Sequence, residues 1–183
     1  MKKVLLCFGL GLVLLACNDK EDKDKEDDDD KKEKMTNATP ADLPYTASYS
    51  SNFSTDVSDA DLKMVLMSYK YWADGDMTGL AGTMADSVSA EMSDGGHFEG
   101  VNADLMKRWS SYRDSLSSVR IDMEAWQKMY STDKKDSYVV TWYKEYDTYK
   151  SGKVDSAYFH DINQVKNGKI SWYSQYKRPA KKM

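Results

Sequence analysis

Two histidines, two cysteines and thirty carboxylates are the side chains of this 183-residue chain that could carry acid–base, nucleophilic or metal chemistry. The histidines lie far apart: His97 follows Gly95-Gly96, and His160 stands beside Asp161 in a run of strand-favouring residues. A zinc centre needs three or four converging ligands, and spacing alone does not assemble a Ser/His/Asp triad. Neither histidine is therefore given a catalytic role, and no metal or cofactor is expected. Gly75, Gly79 and Gly82 fall around a helical segment rather than after a strand, so they do not form a phosphate-cradling loop. Asp161 is the carboxylate of most interest. Strand alternation puts Phe159, Asp161 and Asn163 on one face, and Tyr158, His160 and Ile162 on the other. With the first set inward, Asp161 lies among apolar groups and its pKa rises, as at functional sites. With the second set inward, it is a solvated acid. Period alone leaves both orientations open.

Other elements must enclose such a residue before it can act. Ser58 or Asp59 can cap a helix starting near Ala60, whose Leu62, Val65, Leu66, Tyr69, Trp72 and Ala73 recur as an inward stripe. Gly75 stops it. Asp76 caps a shorter helix carrying Leu80 and Met84 and ended by Asp86-Ser87, followed by a short strand from Val88 to Met92 and a turn at Asp94-Gly95-Gly96. A third helix opens at Val101 or Asn102, with Leu105, Met106, Trp109 and Tyr112 inward. Beyond Ser117 the chain reads as strand. Val119, Ile121, Met123 and Ala125 alternate with polar neighbours; residues 138–149, 154–165 and 169–177 follow, joined by Ser151-Gly152 and Asn167-Gly168 turns. Three helices followed by four long antiparallel strands predict an α+β fold with the helices on one face of a curved sheet.

Composition narrows the function. Five Trp and thirteen Tyr against four Phe mean that most rings carry a polar tip, which suits a ligand cleft, a dimer interface or a sheet with one wetted face. Tyr143, Tyr149 and Tyr173 are assigned to such a wetted face. Residues 18–34 hold ten acids against six lysines, while residues 35–183 hold twenty acids and eighteen bases. A body so nearly balanced has no basic field for nucleic acid.

The N-terminus reads as an address. Met1-Lys2-Lys3 precedes an apolar run from Val4 to Leu15. Twelve helical residues span about 18 Å against roughly 30 Å of bilayer hydrocarbon, so the run fits a secretory signal and not a membrane span. Its end, Leu14-Leu15-Ala16-Cys17, resembles the lipobox of bacterial lipoproteins. That resemblance implies cleavage before Cys17, acylation of its sulfur and amino group with fatty acids such as palmitate, and attachment to the bilayer in the cell envelope. An outer-membrane lipoprotein, periplasmic or surface-exposed, follows. Cys7 would leave with the leader, so the mature chain would have no intramolecular disulfide. The acidic stretch after Cys17 has no apolar residue and should remain a solvated tether; acids so close to the lipidated Cys also resemble a surface-export signal.

The run YKYWADGDMTGLAGTMADSVSAEM, then HFEGVNADLMKRW, then FHDINQVKNGKISWYSQY resembles, in this order, the nuclear transport factor 2-like superfamily, which includes SnoaL-like polyketide cyclases and ketosteroid isomerases. The resemblance implies a cone in which the sheet wraps the first helix around an apolar pocket. It divides the chain into a signal peptide at 1–16, lipidated Cys17 with linker and lead-in at 17–55, the cone domain at 56–178 and a basic tail at 179–183. It also favours Asp161 inward, in a pocket with Tyr69, Trp72, Trp142, Phe159 and Asn163. The ketosteroid isomerases use a Tyr and a protonated Asp as oxyanion hole and a second Asp as base. Alignment on Gly75-Asp76 puts that Tyr at Ser68 and that base at Met92, and alignment on the Gly152 turn puts the oxyanion Asp at Asp161. With two of three positions lost, unless Glu91 or Asp94 substitutes, that activity is not expected. The resemblance leaves three roles: a binder of a small apolar ligand, an acid–base enzyme of isomerase, cyclase or dehydratase type using Asp161, or a dimerisation module, with a homodimer as partner. Cys17→Ser should leave the precursor unprocessed and move the protein out of the detergent phase on phase partitioning; a Ser variant that still partitions fully into detergent removes the anchor.

Overall fold

The computed structural model describes residues 42–180. The chain separates into two units between Leu43 and Pro44. The first lies almost wholly outside the described residues, and with it the leader, Cys17 and the charged linker. The second is the body described below.

Ser58 starts helix α1 (Asp59–Asp74), its Oγ accepting the Asp61 amide at 3.0 Å, while Asp59 and Asp61 put negative charge at the helix's positive end. At the far end Gly75 turns into the left-handed region at φ 75°. Its N–H donates to Trp72 O and that of Asp76 to Tyr71 O, the paired bonds of a Schellman stop. Arg113 then donates to the carbonyls of Trp72 and Ala73, each at 3.1 Å. A Cβ at position 75 would come within 3.2 Å of that guanidinium, so both the dihedral and the contact select glycine. Asp76 caps α2 (Met77–Thr83) through the Gly79 amide at 2.7 Å. Asn102, first residue of α3 (Asn102–Arg113), donates to Ala81 O at 2.9 Å and holds α3 against α2.

Seven strands form one sheet: β1 (Phe53–Ser54), β2 (Met84–Glu91), β3 (His97–Val101), β4 (Leu116–Ser131), β5 (Asp136–Tyr149), β6 (Val154–Lys166) and β7 (Lys169–Pro179). Their spatial order is β1-β4-β5-β6-β7-β2-β3, antiparallel throughout except for the parallel β2–β7 pair. Asn167 and Gly168, both with positive φ, make the two-residue β6–β7 turn whose twist suits a hairpin. The result is an α+β cone: a curled, unclosed sheet with three helices on one face. Val65, Leu105, Val139 and Ile170 sit fully buried where helices and sheet meet.

Three expectations need correction. The second helix ends at Thr83, not at Asp86-Ser87, because Met84 already pairs with Ile170 on β7 and enters the core from a strand. Leu80 and Met84 are four apart, which fits a helix stripe; the sheet's hydrogen bonds decide otherwise. Residues 97–101 and 53–54 were not expected to be strands: β3 carries a single buried side chain, Phe98, too few for a period to show. Finally, a bulge between Met123 and Ala125 breaks the β4 alternation, so Ala125 pairs with Trp142 on the outer face instead of continuing inward. Leu105→Ala should lower stability by about 2–5 kcal/mol as a fully buried truncation, read as the shift of a urea melt.

Candidate functional site

Sheet pairing settles the face of Asp161. It stands opposite Thr141 on β5 and Gln175 on β7, and its neighbours Phe159 and Asn163 point the same way, toward α1. Asp161 has no exposed surface. Its Oδ2 accepts from Tyr69 at 3.0 Å and from Tyr143 at 2.9 Å. The Tyr69 hydroxyl also meets Thr141 Oγ1 at 2.7 Å and accepts from Asn163 Nδ2 at 3.1 Å, and Gln175 Nε2 lies 3.4 Å from the Tyr143 oxygen. Asp161 Oδ1 has no partner.

Above this network is a cavity of about 440 Å³ between the helices and the sheet. Leu80, Met84, Met92, Trp109 and Phe159 give it apolar walls; Tyr69, Tyr143, Asn163, Tyr173 and Gln175 give it a polar floor. The exposed lining residues Ser93, Asp94, Tyr112 and Lys177 mark its mouth. Asp161 itself does not line the cavity; it reaches the space only through the phenols above it. The carboxyls that do line it are Asp94, Glu145 and Asp147. Glu145 and Asp147 are two apart on β5, on the same inward face, both buried. Tyr112 of α3 donates to Asp147 Oδ2 at 2.9 Å, and its ring stacks on Trp72 of α1 at 6.1 Å.

Burial dominates the electrostatics. Desolvation raises Asp161 to about 7 even though the phenols of Tyr143, Tyr69 and Tyr173 and the Gln175 amide favour its charged form. Glu145 is raised to about 8, by desolvation first and then by the charges of Asp147 and Asp161, with the Trp72 indole opposing. Desolvation also raises Asp147, while hydrogen bonds from Tyr112 and Glu145 favour its charged form. Tyr69, Tyr143 and Tyr173 are pushed up by burial and by Asp161, so they remain protonated phenols.

Of the residues expected in the pocket, Tyr69, Trp72, Phe159 and Asn163 line the cavity. Trp142 has to be moved out of it. Thr141 and Tyr143 point inward, so Trp142 between them faces outward, stacked on His160 at 4.8 Å. His160 and Asp161 are thus on opposite faces. His97 is bonded to Glu91 Oε1 at 2.9 Å on the exposed β2–β3 edge. At the position to which the resemblance assigned a tyrosine, Ser68 Oγ donates to Val65 O; the next residue, Tyr69, is the α1 phenol that reaches Asp161. Met92 lines the cavity but cannot take a proton, Asp94 stands at the mouth, and Glu91 is turned outward to His97. Tyr143 and Tyr173, assigned to a wetted face, form the floor instead. Glu145, Asp147 and Thr141 were missed. Their signal was the turn at Ser151-Gly152, whose register puts Thr141 opposite Asp161 once Asp161 is taken as inward. Among the described residues, no group of three or more His, Cys, Asp or Glu is placed to hold a metal ion.

No family model matches the chain, and no curated protein matches it by sequence. The likeness to solved structures is one of fold. An LEH-like epoxide hydrolase from M. tuberculosis superposes with a TM-score of 0.56 at 9% identity, covering 65% of this chain and 83% of that one. AusH from Aspergillus nidulans gives 0.55 at 14%, covering 69% and 89%. An NTF2-like protein from Anabaena variabilis gives 0.53 at 17%, covering 67% and 92%. The body therefore has the nuclear transport factor 2-like cone fold, with a cavity between helix layer and sheet. Enzymes and proteins of unassigned role share it, so fold alone does not choose between them.

The buried acid has a measurable consequence. An unfolded aspartate titrates near ~3.9, whereas Asp161 keeps its proton up to about 7. Between those values the unfolded chain releases a proton that the native state retains, so stability falls as pH rises through the window and the contribution is level above it. Asp161→Asn removes this dependence. Relative to the parent, the variant should gain stability by up to about 1.4 kcal/mol per pH unit across the window and no further beyond it. Glu145 gives a slope of the same sign in both proteins. Urea melts at several pH values from about 4 to 8 provide the difference curve; a flat curve removes the buried acid.

Proposed function

We propose that this protein is a bilayer-anchored lipoprotein whose cone domain binds a small, mainly apolar molecule in the cavity between α1 and the sheet. The anchoring rests on the leader ending at Cys17. The binding rests on one observation: a cavity of about 440 Å³ with apolar walls and a few convergent polar groups, the usual composition of a small-molecule site. The apolar body of the ligand lies against Leu80, Met84, Trp109 and Phe159, and a polar group on it meets the Tyr143, Asn163 and Gln175 floor or Glu145. Small apolar compounds that bind should raise the melting temperature, by about 2.7 kcal/mol of added stability at a hundredfold excess over Kd. Met92→Trp, which fills the mouth side, should remove that shift while leaving the unliganded melt within a few degrees. Absence of any shift across a broad library of apolar compounds of two or three rings refutes the binding.

A second reading, an acid–base enzyme, is favoured by the two carboxyls poised near neutrality, Asp161 and Glu145. Known proteins of this fold include the epoxide hydrolase named above and TerC, crystallised with polyporic acid. In this chain the proton would be exchanged with substrate by Glu145, which lines the cavity, or relayed from Asp161 through Tyr143. Turnover that survives Glu145→Gln and Asp161→Asn alike would rule that chemistry out.

A further inference from the structure

We propose that the molecule held in this cavity carries a positively charged amine head, seated at Glu145 and Asp147 between the aromatic rings of Trp72, Tyr112 and Tyr173. The inference rests on the reading of the cavity as a ligand site and names the class of ligand. Three features of the lining carry it. The first is its charge: Asp94, Glu145 and Asp147 stand against one cation, Lys177. Lys177 is exposed at the mouth, its Nζ over the Phe159 ring at 5.5 Å, and its charge reaches Asp147 from there.

The second is a pair of buried acids. Asp147 is only 9% exposed and its Oδ2 takes the Tyr112 proton, while Glu145, on the same face of β5, lines the cavity and is the carboxyl an entering group meets. Burial raises both acids, so without a cation beside them the pair resists carrying two full charges. The groups that line the cavity with Glu145 are Tyr69 and Trp72 from α1, Tyr112 from α3, Tyr143 and Asp147 from β5, and Tyr173 and Lys177 from β7, and Asp161 of β6 acts on it from beneath the floor. Only Lys177 among them is cationic, and it acts on Asp147. An ammonium entering the site takes the place of a proton on the acid pair, which leaves to the buffer as the ligand binds, so the net charge of the site is unchanged.

The third is the wall. Trp72 and Tyr112 lie parallel, 4° apart, with the Tyr112 hydroxyl on Asp147, and Tyr173 of β7 lines the same cavity. Ring faces attract a desolvated ammonium while tolerating its apolar body. A carboxylate pair alone would suit any donor; the pair together with stacked rings suits a cation carried on hydrocarbon.

The test uses three probes with the same body: 4-phenylbutylamine, 4-phenylbutan-1-ol and 4-phenylbutyrate, titrated calorimetrically into the full chain near neutral pH in two buffers of different ionisation heat. The amine should bind at least about tenfold tighter than the alcohol, a difference of ~1.4 kcal/mol, with net release of a fraction of a proton. The carboxylate should bind weakest. In Glu145→Gln and in Asp147→Asn the amine-to-alcohol ratio should fall toward one, with alcohol binding reporting that the variant is folded. Carboxylate binding as tight as amine binding overturns the proposal, as does an amine preference that survives both substitutions. If the alcohol and carboxylate bind with no preference for the amine, the charge inference falls and the apolar-ligand reading stands. If no probe binds, both fall together.

Discussion

One phenol oxygen ties the helix layer to the sheet. The Tyr69 hydroxyl, on α1, donates to Asp161 and receives hydrogen bonds from Thr141 and Asn163. With one proton given and two lone pairs filled, its capacity is used up. The geometry is demanding because Thr141, Asp161 and Asn163 are themselves buried. A shift of α1 along the sheet would leave several polar atoms without partners at once, and each orphan costs about 1–3 kcal/mol. Apolar packing around Val65 and Leu105 supplies most of the attraction between layers, but it is tolerant of small slides. The hydrogen-bonded floor is what fixes the helix to one position and so gives the cavity above it a defined shape.

The same floor explains which parts of the structure were legible in the sequence. Helix α1 announced itself through a capping Ser58, an apolar stripe and a stopping Gly75, three signals that agree. The β6–β7 hairpin was equally plain in Asn167-Gly168. Strand β5 was not. Its inward set is Val139, Thr141, Tyr143, Glu145 and Asp147; its outward set is Val140, Trp142, Lys144, Tyr146 and Thr148. Neither set is clearly apolar, so a period of two identifies a strand without identifying its buried face. Trp142 was placed inward for that reason, and Tyr143 outward. The resemblance to the cone fold could orient Asp161, and with it β6, but it pointed to Ser68 and not to its neighbour Tyr69. One residue on a helix turns a side chain by about 100°, which separates a hydroxyl that bonds its own backbone from the phenol that reaches Asp161.

A polar interior of this kind is a cost to the fold, and its location says what it is for. Glu145, Asp147 and Asp161 are three carboxyls on adjacent strands, all at least nine-tenths buried. Replacing a whole buried polar cluster, partners included, by well-packed apolar groups is often neutral or stabilising in proteins, so packing alone does not require them. They cluster at one cavity or directly beneath its floor, and the phenols of Tyr69, Tyr112 and Tyr143 point at them. A carboxyl with a neutral environment and oriented donors is the arrangement that brings proton affinity near neutrality.

Asp161 and Glu145 nonetheless meet the cavity in different ways. Glu145 lines it and can touch whatever enters. Asp161 acts from behind, through the direction of the phenol protons. When it is charged, Tyr69 and Tyr143 both donate to Oδ2, and Tyr143 turns an oxygen lone pair toward the cavity and toward the Gln175 amide. When the carboxyl takes a proton, one phenol no longer has to donate to it: Tyr69 can turn its proton to Thr141 Oγ1, or Tyr143 can release its own. Burial pushes Asp161 up to about 7, so the hydrogen bonds of the floor are coupled near neutrality to a proton on a residue that does not itself line the cavity.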